Sequence, residues 1–245
     1  MFKNIVPVVL EKHKDLKVKP ITKFDFVKSV NMASVMVHEF SKVAPTYPIL
    51  FLEDPKKDQF KPVALFGLEQ GENLFVRDDK WQASYIPAII RRYPFVLAGS
   101  EGGKKFTVCI DDQSEFVGTD EGQPLFTEEG KPSQSLETVK KYLQELQQME
   151  LFTNEFVKYL AEKNLFTPMN MNLRVGKEVK SVTGAYIINE ERLNNLSAES
   201  FQELREKRYL PVIYAHLGSL GQMERLIGFK DTALASTSKV EQTDS

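Results

Sequence analysis

The feature that most restricts the fold is helical periodicity from about Leu136 to Lys163. Leu136, Val139, Leu143, Leu146, Phe156 and Leu160 recur there at steps of three and four and their sums. Such a stripe predicts a long amphipathic helix whose apolar face the rest of the chain covers. The central Met149, Leu151 and Phe152 mark a kink or a change of buried face. Before the helix, Thr119 to Ser135 is rich in Gly, Pro and acidic side chains and is the candidate internal boundary.

The remaining segments alternate short strands and helices. Ile5 to Leu10 reads as a buried strand. Glu11 to Lys23 reads as a solvated loop and edge, its lysines interrupted by Glu11 and Asp15. The three-four spacing of Val35, Met36, Glu39, Phe40 and Val43 predicts a helix over Asn31 to Ala44. Pro45 ends it, because proline disfavours helical geometry at the residue before it. Tyr47 to Leu52 is then a strand. Pro62 to Asp78 reads as a hairpin with arms at Val63–Phe66 and Asn73–Val76, turning at Gly71. Ser84 to Arg92 is a short helix with Pro87 in its first turn, where a missing N–H costs little.

Tyr93 to Ala98 and Phe106 to Ile110 are two further strands, joined through Gly99, Gly102 and Gly103. Leu165 to Ile188 reads as a hairpin turning at Gly176 and Lys177. Ser197 caps a helix over Ala198 to Glu206. A final helix covers Pro211 to Ile227, and the polar segment Phe229 to Ser245 reads as a disordered tail. Hairpins outnumber strand–helix–strand units. The fold class is therefore α+β, a largely antiparallel sheet packed by the long central helix and the C-terminal helices, with residues 1–228 as a single domain.

Composition narrows the partners. The chain carries 32 basic and 34 acidic side chains for a net charge of −2. A nucleic-acid binder shows a basic excess, because phosphate neutralisation drives its affinity, so nucleic acid is disfavoured. No apolar run approaches the length that crosses a bilayer, and the N-terminus lacks the features of a signal peptide. The expected location is the cytoplasm, with leaderless export left open. Cys109, the single cysteine, has no internal partner for a disulfide.

Three stretches carry a family resemblance. The first is Glu39-Phe40 with Tyr47-Pro48-Ile49-Leu50-Phe51. The second runs from Pro62-Val63-Ala64-Leu65-Phe66-Gly67-Leu68 and Gly71-Glu72-Asn73-Leu74-Phe75-Val76 through Trp81 and Tyr85-Ile86-Pro87-Ala88 to Arg91-Arg92-Tyr93-Pro94-Phe95. The third joins Gly184-Ala185-Tyr186, Leu193-Asn194-Asn195-Leu196 and Tyr214-Ala215-His216-Leu217-Gly218-Ser219-Leu220. In order and spacing these resemble the bacterial SapC family over nearly the whole chain. The family name is linked to surface-layer gene clusters and serum resistance. The resemblance therefore implies a part in making, exporting or anchoring a surface coat. It supplies no catalytic residues.

The densest candidate site is Trp81 to Phe95, with Trp81, Tyr85, Arg91, Arg92 and Tyr93. Tryptophan, tyrosine and arginine are favoured interface anchors, and an arginine pair can grip a carboxylate or phosphate. The same residues also suit a helix-to-strand corner, with aromatics in the core and arginines capping the helix. Asp111, Asp112 and Glu115 offer oxygen ligands in no recognisable metal-site spacing and read as a solvated acidic loop. His13, His38 and His216 are far apart, and His216 reads as a packing histidine on an apolar helix. Cys109, inside an apolar strand, reads as an inert thiol. No metal or cofactor is expected, and phosphate-loop, dinucleotide and nucleophile-elbow motifs are missing.

Three functions compete. The preferred one is a non-enzymatic accessory protein with a protein partner, tied to cell-surface protein assembly, export or modification. The alternative is an enzyme of unrecognised type acting on a peptide or surface polymer, which convergence of His216, Tyr186, Asp111 and an arginine in one concave site would favour and their dispersal would disfavour. A structural coat subunit ranks last, because the chain is small and near neutral.

Overall fold

The computed structural model describes residues 1–54, 59–99, 106–176 and 178–243. The glycine connection at Gly102 and Gly103, and Lys177 of the expected turn, lie outside the described residues. The fold is α+β, and all its strand pairs are antiparallel.

The main sheet has five strands in the order Phe166–Val175, Glu178–Ile188, Ile49–Asp54, Gln59–Leu65 and Met32–Ser34. A second sheet of three strands places Phe106–Asp111 between Ile5–Pro7 and Phe95–Gly99. A small third sheet holds Lys17–Val18 between Val117–Gly118 and Gln123–Pro124. The hairpin Phe166–Ile188 forms as the sequence predicts, and Gly176 turns it at φ +57°, a conformation that costs glycine little.

The long helix spans Gln134–Glu162, and the Ser133 side chain accepts a hydrogen bond from the Leu136 amide at its start. It runs unbroken, so the central apolar group marks a change of buried partner rather than a break. Leu136, Leu143 and Leu146 enter a smaller core with Phe95, Ile110 and Leu125. Phe156, Val157 and Leu160 enter a larger core with Phe40, Phe51 and Ile213. Each of these side chains contributes about 1.5–3 kcal/mol of transfer free energy on burial. At the crossover, the Thr153 hydroxyl donates to the Met149 carbonyl and accepts from the Val37 amide at 3.1 Å. The helix is thereby the common wall of the two cores.

Three local expectations are revised. The segment Asn31 to Ala44 is not one helix. Met32–Ser34 pairs with Val63 to Leu65 as an edge strand, and helix follows only at Val37–Glu39 and Phe40–Val43. Sheet pairing with a strand thirty residues away overrides the local spacing. The strand Gln59–Leu65 is not the first arm of a hairpin with Asn73–Val76. It pairs with Ile49–Asp54 on one side and Met32–Ser34 on the other. Gly71 does supply a turn at φ +88°, but Val76–Arg77 pairs onward with Lys80–Trp81. The expected final helix is two, Leu210–Ser219 and Gln222–Thr243, and the second continues through the segment read as a tail. Helix Ala198–Glu206 has the expected bounds, and the Ser197 side chain accepts from the Ser200 amide.

Candidate functional site

Trp81 to Tyr93 folds as a corner built around one carboxylate. The Trp81 indole N–H donates to the Tyr47 hydroxyl at 2.8 Å, and that hydroxyl donates to the Tyr85 carbonyl. The Tyr85 hydroxyl donates to Glu39 Oε1 at 2.6 Å. The same oxygen accepts from the Ala88 amide at 2.7 Å, at the first residue of the helical turn Ala88–Arg91. Glu39 Oε2 accepts from the Met36 amide at 3.2 Å. Glu39 is 4 % exposed, so these three donors replace the water it gave up. Burial and the Glu39 carboxylate push the Tyr85 phenol well above its ordinary range, which keeps it a proton donor.

The two arginines differ. Arg91 is exposed and satisfied. Its Nε donates to the Ile86 carbonyl at 2.8 Å, and its guanidinium lies over the Tyr85 ring, 5.5 Å from the centroid. Arg92, the next residue, is half-buried. Its Nε is enclosed and has no hydrogen-bond partner, and no ion pair reaches it among the described residues. Desolvation lowers its pKa, partly opposed by the field of Glu150. A guanidinium remains protonated at any physiological pH. An enclosed donor without an acceptor costs about 1–3 kcal/mol.

Arg92 lines a cleft of about 440 Å³ between the long helix and the strands Met32–Ser34 and Gln59–Leu65. Ile89, Leu143 and Leu146 form its apolar wall, and Phe106 stands at the rim, 45 % exposed. Lys61, Gln147, Glu150 and Asn154 supply its polar lining. Gln147, Glu150 and Asn154 are spaced three and four apart, so they share one helix face. Asn154 also borders a second cleft of about 830 Å³, lined by Gln59, Phe60 and Leu151 among others. The volume and mixed lining are those of a ligand site.

The other candidates do not converge on this cleft. Tyr93 is 4 % exposed, stacks on Phe26 and donates to Asp111 Oδ2 at 3.2 Å. Asp111 is fully buried and accepts from the Lys3 and Asn4 amides, both at 2.9 Å, so it pins the N-terminal segment. Asp112 stays at the surface and accepts from the Asn4 side chain. Among the described residues no group of His, Cys, Asp and Glu is arranged to hold a metal ion.

His216 is fully buried against Phe51, and its Nε2 accepts from the Ile188 amide at 3.1 Å. Burial lowers its pKa to about 3, only partly offset by the Ile49 backbone, so it is neutral at physiological pH. Tyr186 donates to Glu53 at 2.6 Å on the exposed face of the main sheet. His38 is exposed and packs on Phe152, and His13 is buried beside the Val9 backbone. Cys109 is 4 % exposed, and burial pushes its thiol pKa up, away from the reactive thiolate.

Of the residues nominated from sequence, only Arg92 faces the cleft. Trp81, Tyr85 and Tyr93 are tied to internal partners, and Arg91 packs at the corner's outer edge. Sequence reasoning missed Lys61, Gln147, Glu150 and Asn154 as lining, and Glu39 as the organiser of the corner. One signal for Glu39 was legible, a lone acid within Val35 to Phe40, where an acid has to find buried donors.

Among the described residues no helix is long and apolar enough to cross a membrane. The chain matches no curated protein and no solved structure. Its sequence over residues 10–226 matches the SapC family model, a span that includes the Glu39 corner and the Arg92 cleft, and the chain belongs to the SapC family.

Proposed function

We propose that this protein is a non-enzymatic accessory factor that binds polypeptide partners during assembly, export or modification of cell-surface proteins, acting from the cytoplasm. The observation that carries this reading is the cleft along the long helix. Its polar lining combines a guanidinium, an ammonium, a carboxylate and two amides over an apolar wall. Those groups suit recognition of peptide bonds and charged side chains, and the second cleft beside Asn154 suits an extended occupant. The surface-protein setting comes from the family's link to surface-layer gene clusters.

Convergence of His216, Tyr186, Asp111 and an arginine in one concave site would favour the enzymatic alternative. The separate partners of these residues favour binding instead.

The test is photo-crosslinking in native cells, with a photoreactive residue placed at Gln147 or Leu151 and, as control, at Lys12, an exposed residue that lines neither cleft. Capture of a defined surface or export protein from the two cleft positions, and not from Lys12, supports the proposal. Equal capture from all three positions, or crosslinks only to small metabolites, counts against it.

A further inference from the structure

We propose that the Arg92 cleft is a carboxylate site, in which the Arg92 guanidinium holds a carboxylate carried on an apolar body. The proposal rests on the binding reading above and names the chemistry of what is bound.

Three observations lead to it. First, Arg92 is a half-buried cation with no acceptor among the described residues. Its Nε is enclosed without an acceptor, while neighbouring Arg91 is fully engaged. Its terminal nitrogens have no protein acceptor among the described residues, and Arg92 lines the cleft. A planar fork of two N–H groups matches the two oxygens of a carboxylate, and the half-burial of Arg92 strengthens that pairing. Second, the charges lining the cleft are unequal. Arg92 and Lys61 outweigh Glu150, and Glu150 makes no ion pair with either. The cleft therefore carries a net positive charge that an anion neutralises. Third, the wall beyond the guanidinium is apolar. Ile89, Leu143, Leu146 and the exposed ring of Phe106 offer cover to a hydrocarbon body. Inorganic anions would leave that wall unused.

Two sources carry this chemistry, the C-terminus of a polypeptide with apolar last residues and a free organic acid. The second cleft, which shares Asn154 with this one, gives a polypeptide more surface along the same helix than a free acid needs, and favours the polypeptide.

The experiment titrates the full-length protein with three probes: N-acetyl-Leu-Leu-Phe as the free acid, the same tripeptide as its C-terminal amide, and octanoate. Amide-resolved NMR and calorimetry are the readouts. The expected result is saturable binding of the acid, with shifts concentrated at Gln147 to Asn154. The amide binds at least tenfold more weakly. Arg92→Met removes most of the difference between acid and amide, and Arg92→Lys restores part of it. Gln147→Trp, which plugs the cleft from the helix surface, abolishes binding while leaving Arg92 in place. It keeps the test decisive should Arg92→Met fold poorly.

Octanoate binding with the same Arg92 dependence, and no tripeptide binding, upholds the carboxylate site and identifies a free acid as its source. In that case the polypeptide reading fails by itself. No saturable binding of any probe, or acid binding unchanged by both Arg92→Met and Gln147→Trp, overturns the proposal.

Discussion

Glu39 and Arg92 sit at opposite ends of the single helical turn Ala88–Arg91, and the fold treats them oppositely. Glu39, at the N-terminal end, collects two backbone amides and a phenol hydroxyl. Arg92, at the C-terminal end, collects none. The helix dipole favours each charge where it stands, but its contribution over one turn is small. The difference lies in hydrogen bonds. A buried charge that is fully bonded holds structure together. A half-buried charge left unbonded weakens the fold and is a candidate for completion from outside it. This contrast separates the bonded part of the corner from its unbonded part more sharply than residue type does.

The largest effect expected from breaking the contrast is at Glu39. Glu39→Ala leaves the Met36 and Ala88 amides and the Tyr85 hydroxyl without their acceptor. The loss should be roughly 3–5 kcal/mol, because a buried network forfeits its bonds and keeps its desolvated donors. Urea denaturation measures it. Glu39→Gln, which retains one acceptor oxygen at the same volume, should recover part of the loss. A cost below about 1 kcal/mol for Glu39→Ala would mean that water reaches these donors, and the corner would then not be organised by Glu39.

His216 sharpens the contrast from a third direction, because burial without a counter-charge has made this base neutral. Its folded pKa, about 3, lies below its unfolded value of 6.5. The unfolded chain therefore binds the proton first as pH falls. The stabilisation is complete above pH 6.5 and is lost progressively as pH falls toward 3, by about 1.4 kcal/mol per pH unit. Between pH 6.5 and 5 the protein should lose about 2 kcal/mol more than His216→Gln, which keeps an acceptor for the Ile188 amide and does not titrate. Parallel pH profiles for the two proteins would show that another group governs acid stability.

Lys230 belongs with Glu39 among the bonded charges. It is 8 % exposed and pairs with Glu69 and Glu72, tying the helix Gln222–Thr243 to the turn at Gly71. Glu72 also accepts from the Leu68 and Glu69 amides, so it keeps partners when the lysine goes. Lys230→Met should therefore cost only about 1–2 kcal/mol, less than Glu39→Ala. High salt should weaken the wild-type Lys230–Glu72 pair little, because both side chains are largely shielded from solvent. A salt-dependent loss as large as the mutational one would place the pair on the open surface.

Much of this architecture was legible, and the exceptions share a cause. The helix Gln134–Glu162, the hairpin Phe166–Ile188 and the Ser197 cap are local, each set by periodicity, a turn residue or a capping hydroxyl within its own segment. Met32–Ser34 and Gln59–Leu65 were misread because their pairing is remote, and an apolar run does not name its partner. The site divides the same way. Arg92 was nominated on residue type alone. The cleft that gives it meaning gathers side chains from Ser34 to Asn154, which no spacing connects. Trp81, Tyr85 and Tyr93 looked like a recognition surface for a related reason. Aromatics with polar tips serve cores and interfaces equally well, and only their hydrogen-bond partners show which.

The smallest effect, and the most telling, is expected at Arg92. Arg92→Met preserves much of the side chain's length and removes a guanidinium that has no protein partner. Removing a bonded buried charge destabilises, whereas removing an unbonded one also removes its desolvation cost. The change in stability should be under about 1 kcal/mol and toward the more stable protein. Arg91→Met should go the other way by up to about 1 kcal/mol, since Arg91 holds the Ile86 carbonyl at the surface. Opposite signs at adjacent arginines, measured in the same urea titration, would place one of them in the fold and the other in the cleft. A loss above about 2 kcal/mol for Arg92→Met would mean that the guanidinium is structurally bonded, and the cleft would lose its anchor.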